Sequence, residues 1–221
     1  MYGFVFSFFI IFLIYKFKDY RFEFKTIFKK GLPPIDDRHG VYFVTGRQGS
    51  GKNFYSIKLL LQQNPKKVNY IKTNVHSLNI PGYEIKYFSK ITEIYQDIDE
   101  DCIYLIDEVS RKWDRNSRTD TQFYAWLNQA RKRKRIVILI TQEWRELPMW
   151  IRRPAKYMLS TKPFGIWGRF GYFCTTIGDA ENMVYNKDEG EYECPPILHR
   201  VYKRTKDITN YYDTFEPINE L

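Results

Sequence analysis

Three cysteines and three histidines among 221 residues leave little material for a fold built on metals or disulfides. Cys102, Cys174 and Cys194 are odd in number and far apart, and no C-x-x-C pair occurs. His39, His76 and His199 cluster neither with them nor with one another. A zinc site and a disulfide framework are set aside, and reduced thiols in a cytosolic domain are expected. There is no internal repeat, which excludes solenoids and propellers. Acidic residues are in the minority, 26 against 35 lysines and arginines, for a formal net charge of +9. That excess suits an anionic partner, nucleic acid or acidic lipid, without choosing between them. A hydrophobic content of 43%, with 18% aromatics, excludes a largely disordered chain. The length fits one domain with a real core plus extensions.

A single uncharged run opens the chain, YGFVFSFFIIFLIY from Tyr2 to Tyr15. As a helix it would measure about 21 Å, against the roughly 30 Å of a bilayer's hydrocarbon core. It lacks the basic flank and small-residue cleavage site of a signal peptide. A buried helix is rarely apolar on every face at an extreme terminus. Lys16, Lys18, Arg21, Lys25, Lys29 and Lys30 follow, interleaved with Phe17, Tyr20, Phe22, Phe24 and Phe28. Snorkelling lysines and interfacial aromatics extend the effective span. The expectation is an N-terminal, single-pass transmembrane helix, with residues 1–30 forming the anchor and a basic juxtamembrane segment. Positive charge on the C-terminal side alone predicts an outside N-terminus and a cytoplasmic catalytic domain. Residues 31–40, GLPPIDDRHG, then read as a linker.

Beyond the linker, strand-like and helix-like segments alternate. VYFVT (Val41–Thr45) leads into a glycine loop, after which Phe54, Ile57 and Leu61 recur at helical spacing until Pro65. Residues 67–75 and 83–88 read as strands, and Ser89 as the cap of a helix reaching Ile98, with Glu93 out of capping-box register. CIYLIDE (Cys102–Glu108) is a buried strand ending in two carboxylates. Asp120 to Lys132 reads as a helix with Phe123, Trp126, Leu127 and Ala130 on one face. IVILITQ (Ile136–Gln142) and YMLST (Tyr157–Thr161) complete an α/β domain with a mostly parallel central sheet over residues 41–164. Residues 165–221 hold a hairpin in GIWGRFGYFCTTI, an edge strand in HRVYKRT, and a surface tail NYYDTFEPINEL.

Ligands bind such sheets at the carboxyl ends of the strands, where the glycine loop, Asp107–Glu108 and Thr141–Gln142 all fall. TGRQGSGKN matches G-x-x-x-x-G-K from Gly46 to Lys52. The backbone of Gly46, Arg47, Gln48, Gly49, Ser50 and Gly51 would wrap phosphates, and Lys52 would reach the β- and γ-phosphates of ATP. Asn53 stands where a Ser or Thr hydroxyl ordinarily ligates Mg²⁺. An amide carbonyl is also a hard oxygen donor, so Asn53 is a metal-ligand candidate beside Asp107. Two outcomes stay open, altered turnover or nucleotide binding without turnover. Asp107 ends an apolar run as a Mg²⁺-organising acid does, and Glu108 is placed to activate water. Gln142 has an amide able to donate to a γ-phosphate and accept from a lytic water. The basic run QARKRKR (Gln129–Arg135) admits three readings: a solvated helix end, DNA-backbone contacts, or an arginine finger for a neighbouring subunit from Arg131 or Arg133.

Taken in order, VYFVTGRQGSGKN, IYLIDEVSRKW, FYAWLNQARKRKRIVILITQ and YYDTF resemble the zonula occludens toxin (Zot)-like ATPases of the FtsK–HerA superfamily of DNA-pumping P-loop motors. The resemblance is good from about Gly40 to Lys162 and looser in the tail. It implies a RecA-like P-loop core, ATP and Mg²⁺ as cofactors, and a homo-oligomeric ring, often a hexamer. It also implies single-stranded phage DNA as cargo, other virion-assembly proteins as partners, and a place in the host inner membrane. Under it Lys52 binds phosphate, Asp107 and Glu108 serve metal and water, and Gln142 senses the γ-phosphate.

Overall fold

A computed structural model describes residues 2–23 and 39–213. In chain order the elements are α1 (Tyr2–Phe17), β1 (Tyr20–Glu23), β2 (Gly40–Thr45), α2 (Lys52–Gln62), β3 (Ile71–Thr73), β4 (Ile85–Tyr87) and β5 (Ile103–Ile106). Next come α3 (Thr121–Gln129), β6 (Ile136–Thr141), α4 (Met149–Arg152), β7 (Ala155–Pro163), β8 (Tyr172–Asp179), β9 (Val184–Asn186), β10 (Glu191–Glu193), β11 (Pro196–Lys203) and α5 (Lys206–Thr209).

One nine-stranded sheet runs in the order β1-β11-β8-β7-β2-β6-β5-β3-β4, and β9 with β10 forms a separate ribbon. From β7 to β4 every neighbouring pair is parallel. Beyond β7, β8 alone is reversed, because β11 is antiparallel to it and β1 runs parallel to β11. This strand order brings separate polar residues together. β6 lies between β2 and β5, so the polar residue that ends β6 stands between the glycine loop after β2 and the carboxylates after β5. Register aligns these ends, with Thr45 opposite Thr141 and Ile106 opposite Leu139.

The uninterrupted apolar runs are those of strands covered on both faces. Val41, Phe43, Tyr104, Ile106, Val137 and Leu139 pack with Phe123, Trp126 and Leu127 of α3. Their alternates Tyr42, Val44, Ile103, Leu105, Ile138 and Ile140 pack with Phe54, Ile57 and Leu60 of α2. Each such side chain contributes about 1.5–3 kcal/mol by leaving water, so these two layers hold the loop-bearing strands in place. α3 begins where Asp120 accepts a hydrogen bond from the Phe123 N–H at 3.0 Å. Its expected face of Phe123, Trp126, Leu127 and Ala130 is buried.

Several expectations need correction. The transmembrane helix is not found: no helix among the described residues is long and apolar enough to cross a membrane. Its place is taken by α1, 16 residues and thus about 24 Å long, still short of the roughly 30 Å required. The part of the basic segment that is described, Tyr20–Glu23, pairs with β11, so HRVYKRT is an inner strand and not an edge. The remainder of that segment and most of the linker lie outside the described residues. Leu61 is 39% exposed, and Leu60 takes the buried position in its stead. The helix expected from Ser89 is a single 3-10 turn, Ile91–Ile94. Glu93 accepts from the N–H groups of Ser89 and Lys90, which starts the turn one residue later than Ser89 would. The tail is not all surface: Tyr212 is buried, and Tyr211 and Asp213 are tied to Asn79 and Ser77. Residues 214–221 lie outside the described residues.

Candidate active site

The chain leaving Thr45 turns through Gly46, Gly49 and Gly51 before α2 starts at Lys52. Gly49 (φ +75°) and Gly51 (φ +88°) occupy left-handed backbone that other residues adopt only with strain. Gly46 is required by space as well, since a Cβ there would come within 2.4 Å of the Thr161 carbonyl and the Ser50 hydroxyl. The first helical bond of α2 is Tyr55 N–H to Gly51 O, at 2.9 Å. The N–H groups of Lys52, Asn53 and Phe54 precede it and are left without helical acceptors, at the positive end of the helix. An anion is what such a terminus attracts.

The loop is held from two sides. Gly46 N–H donates to the Gln142 carbonyl (3.0 Å), and Thr161 donates to the Thr45 carbonyl (3.1 Å) while pairing with the Ser50 hydroxyl at 3.0 Å. Ser50 is therefore buried and structural.

A cleft of about 570 Å³ opens in front of the loop. It is lined by Gln48, Gly49, Gly51, Lys52 and Asn53 from the loop side, by Asp107, Glu108 and Gln142 from the strand ends, and by Arg111. Phe173, Arg204, Tyr212 and Asp213 close it from the C-terminal segment. The sequence-derived set is thus largely brought together. Gly46, Arg47 and Ser50 instead face a second cavity of about 610 Å³ behind the loop, which Gln142 also reaches.

Asp107 is the most constrained group. Its backbone is clamped by Asn74, whose amide donates to the Asp107 carbonyl (3.1 Å) and accepts from the Asp107 N–H (2.9 Å). Its carboxylate accepts from the Glu108 N–H at 2.8 Å and from the Asn53 amide at 3.1 Å. Burial, and then the charge of Glu108, push the Asp107 carboxyl up to about 6, against the pull of these two donors and of Lys52. Lys52 donates to the Arg47 carbonyl at 3.3 Å. Burial lowers its ammonium from the usual range, opposed by the charges of Asp107 and Glu108. Glu108 sits in left-handed backbone (φ 56°), and its carboxylate accepts from Arg111 at 2.7 Å.

Asn53 turns its NH₂ to Asp107, since an ionised carboxylate only accepts. Among the described residues no three His, Cys, Asp or Glu side chains converge as a metal site. The donor set still fits Mg²⁺, which keeps several waters and takes phosphate oxygens: Asp107 supplies a carboxylate, and the Asn53 amide, once turned over, a carbonyl oxygen.

Arg131 and Arg133 do not join the cleft. They precede β6, at the amino-terminal edge of the sheet, opposite the loop. Arg131 pairs with Glu181 at 3.2 Å, and Arg133 donates to the Ile98 carbonyl (2.6 Å) and to Gln129 (3.1 Å). Neither can serve the cleft of its own chain. Asn74, Arg111, Thr161, Phe173, Arg204 and Tyr212 were not anticipated. Asn74 was findable, because it ends β3 as Gln142 ends β6, and Arg111 lies one helical turn from Glu108. Nothing local marks the other four.

No family model and no curated protein matches the chain. Among solved structures it is similar to the N-terminal domain of zonular occludens toxin from Neisseria meningitidis, at 16% identity and a TM-score of 0.58. That match covers 80% of this chain and 100% of the other. It also matches the genome packaging NTPase of Sulfolobus turreted icosahedral virus 2 in complex with ATP-gammaS, at 16% identity and a TM-score of 0.48, over 74% of this chain and 100% of the other. The chain has the fold of the Zot N-terminal domain, an α/β P-loop core with a mostly parallel sheet.

Proposed function

We propose that the chain is an ATP hydrolase of the DNA-translocating kind, acting in the assembly, export or packaging of phage virions. The reading rests on one observation: Lys52, Asp107, Glu108 and Gln142 meet at one cleft in front of a glycine loop that opens α2. The loop and Lys52 hold the phosphates and neutralise them. Glu108 takes a proton from the attacking water, and Gln142 orients that water against the γ-phosphate. Asp107 and Asn53 would hold Mg²⁺, which would supply positive charge against the phosphate oxygens. Arg131, exposed at the opposite edge, and the half-buried Arg133 beside it suit a finger offered to the next subunit of a ring. The net charge of +9 suits single-stranded DNA as cargo.

Glu108→Gln against Lys52→Ala tests the assignment. Glu108→Gln is expected to bind ATP as the parent does and to release no phosphate, while Lys52→Ala loses binding. Full turnover in either variant contradicts it.

A second reading, a nucleotide-binding scaffold with little hydrolysis, is favoured by the Asn53–Asp107 bond, which occupies the carboxylate that a cation would need. Ile11, Phe12, Ile14 and Tyr15 of α1 are all more than half exposed and require a covering. We assign that covering to the host inner membrane, with the ATPase domain on its cytoplasmic side. Flotation with lipid vesicles that does not depend on residues 2–17 would contradict this.

A further inference from the structure

The turn joining β7 to β8 carries a group of exposed apolar side chains. Between Phe164 and Tyr172 the chain makes a 3-10 helix, Gly165–Phe170, whose large side chains point to solvent. Ile166 is 76% exposed, Phe170 67% and Trp167 53%. The other tryptophans are buried or half-buried. Exposed rings in a row normally cost solubility and mark a contact surface.

The turn is rigidly built. Gly171, at φ +79°, ends the helix and accepts from the Arg204 N–H at 2.8 Å. Gly168 lies so close to Pro163 that a Cβ would fall 2.5 Å from the proline ring, and Phe164 N–H donates to the Tyr172 carbonyl at 3.0 Å. The rings form a ladder: Trp167 lies 6.1 Å from Phe170 and edge-on to Tyr172 at 6.3 Å, and the Lys203 ammonium sits 5.6 Å over Tyr172.

Charge selects the occupant. No acidic residue occurs from Ser160 to Gly178, whereas Arg169 stands in the turn itself and Lys203 lies over Tyr172. Exposed aromatic faces among unopposed cations are what single-stranded nucleic acid binds, with bases stacking on rings and phosphates meeting the cations. A second copy of the chain, itself carrying an excess of positive charge, does not complement this patch. α1 joins the sheet beside His199, midway along β11, whereas the turn meets that strand at its end, beside Lys203. The two apolar features thus reach β11 about 13 Å apart.

The hairpin also touches the nucleotide loop at two points. Thr161 of β7 bonds Ser50 and Thr45, and Phe173 of β8 packs on Gly51, where a Cβ would lie 3.1 Å from its ring. These contacts join the loop to both strands that flank the turn.

We propose that the β7–β8 turn, through Trp167, Phe170 and Arg169, is the single-stranded DNA contact of the chain, coupled to the nucleotide site through Thr161 and Phe173. This rests on the motor reading and names its DNA-gripping element. The test titrates the full chain with oligo-dT while following tryptophan fluorescence and, separately, anisotropy of the labelled oligonucleotide. The parent is expected to bind with quenching, and Trp167→Phe to bind with most of the quenching gone. Trp167→Ala with Phe170→Ala is expected to weaken binding at least tenfold. Arg169→Glu is expected to weaken binding and flatten its salt dependence. These side chains are exposed, so unchanged circular dichroism and ATP binding serve as the folding control. Absence of oligo-dT binding by the parent would overturn the motor reading and this proposal with it. Equal binding by parent and double variant would overturn the proposal alone. So would variants that lose binding to phosphatidylglycerol vesicles while keeping the oligonucleotide, since the turn would then be a lipid contact.

Discussion

Replacing Asn53 by alanine removes one of the two donors to the buried Asp107 carboxylate, the 3.1 Å amide bond. A hydrogen bond to a charged group contributes roughly 1.5–3 kcal/mol, and the length of this one argues for the lower end, about 1.5 kcal/mol. The effect must depend on pH. Asp107 titrates near 6 in the fold, above its ordinary value of 3.8, so burial makes the ionised form costly and stability falls as pH rises between these values. The Asn53 amide offsets part of that cost and acts on the ionised form. Its contribution therefore grows as pH rises through 6 to 7, is nearly full by about pH 8, and is nearly gone at pH 5, where the carboxyl carries a proton. By one pKa unit per 1.36 kcal/mol, Asn53→Ala should raise the Asp107 value by about one unit. In EDTA at pH 8 the variant should melt about 3–6 °C below the parent, and at pH 5 within about one degree of it. Differential scanning calorimetry across that range decides. An equal difference at both pH values would show that Asn53 acts through packing and not through the charge of Asp107.

Thr161→Val deletes a buried hydroxyl that ties Ser50 and Thr45 together, and leaves both without that partner. A loss of about 1–3 kcal/mol in stability and a weaker affinity for ATP are expected, measured by urea melts and by titration with a fluorescent ATP analogue. Gly51→Ala meets both left-handed backbone and the Phe173 ring, and should cost at least about 1–2 kcal/mol. Adding Phe173→Ala relieves only the steric part. Arg131→Ala and Arg133→Ala should leave ATP binding unchanged and reduce turnover only in assemblies, which mixing with Glu108→Gln subunits would reveal. Cys102, Cys174 and Cys194 are buried, with burial pushing the Cys194 thiol up to about 12, so a thiol reagent at pH 8 should find no fast-reacting cysteine in the native chain.

The parallel core was legible because its strands, covered on both faces, read as unbroken apolar runs between turn signals, as IVILIT and CIYLI do. The loop, Lys52, Asp107, Glu108 and Gln142 were legible because sheet chemistry collects polar residues at strand ends. What escaped depends on partners distant in sequence. Thr161 bonds a residue 111 positions away. Tyr212 reaches the cleft only because the tail folds back over Ser77 and Asn79. β1 looked like a basic flank because four residues, Tyr20–Glu23, give too short an alternation to stand out. Arg131 and Arg133 fell beside the right motif, but on the edge of the sheet facing away from it.

The most direct test is phosphate release from ATP by the full chain with Mg²⁺, with and without single-stranded DNA, alongside Asn53→Thr. Turnover in the parent that rises with DNA is the result expected of a translocating ATPase whose asparagine amide can replace a hydroxyl. No release from the parent under any of these conditions, with tight ATP binding and with release restored in Asn53→Thr, would contradict it and leave a nucleotide-binding scaffold.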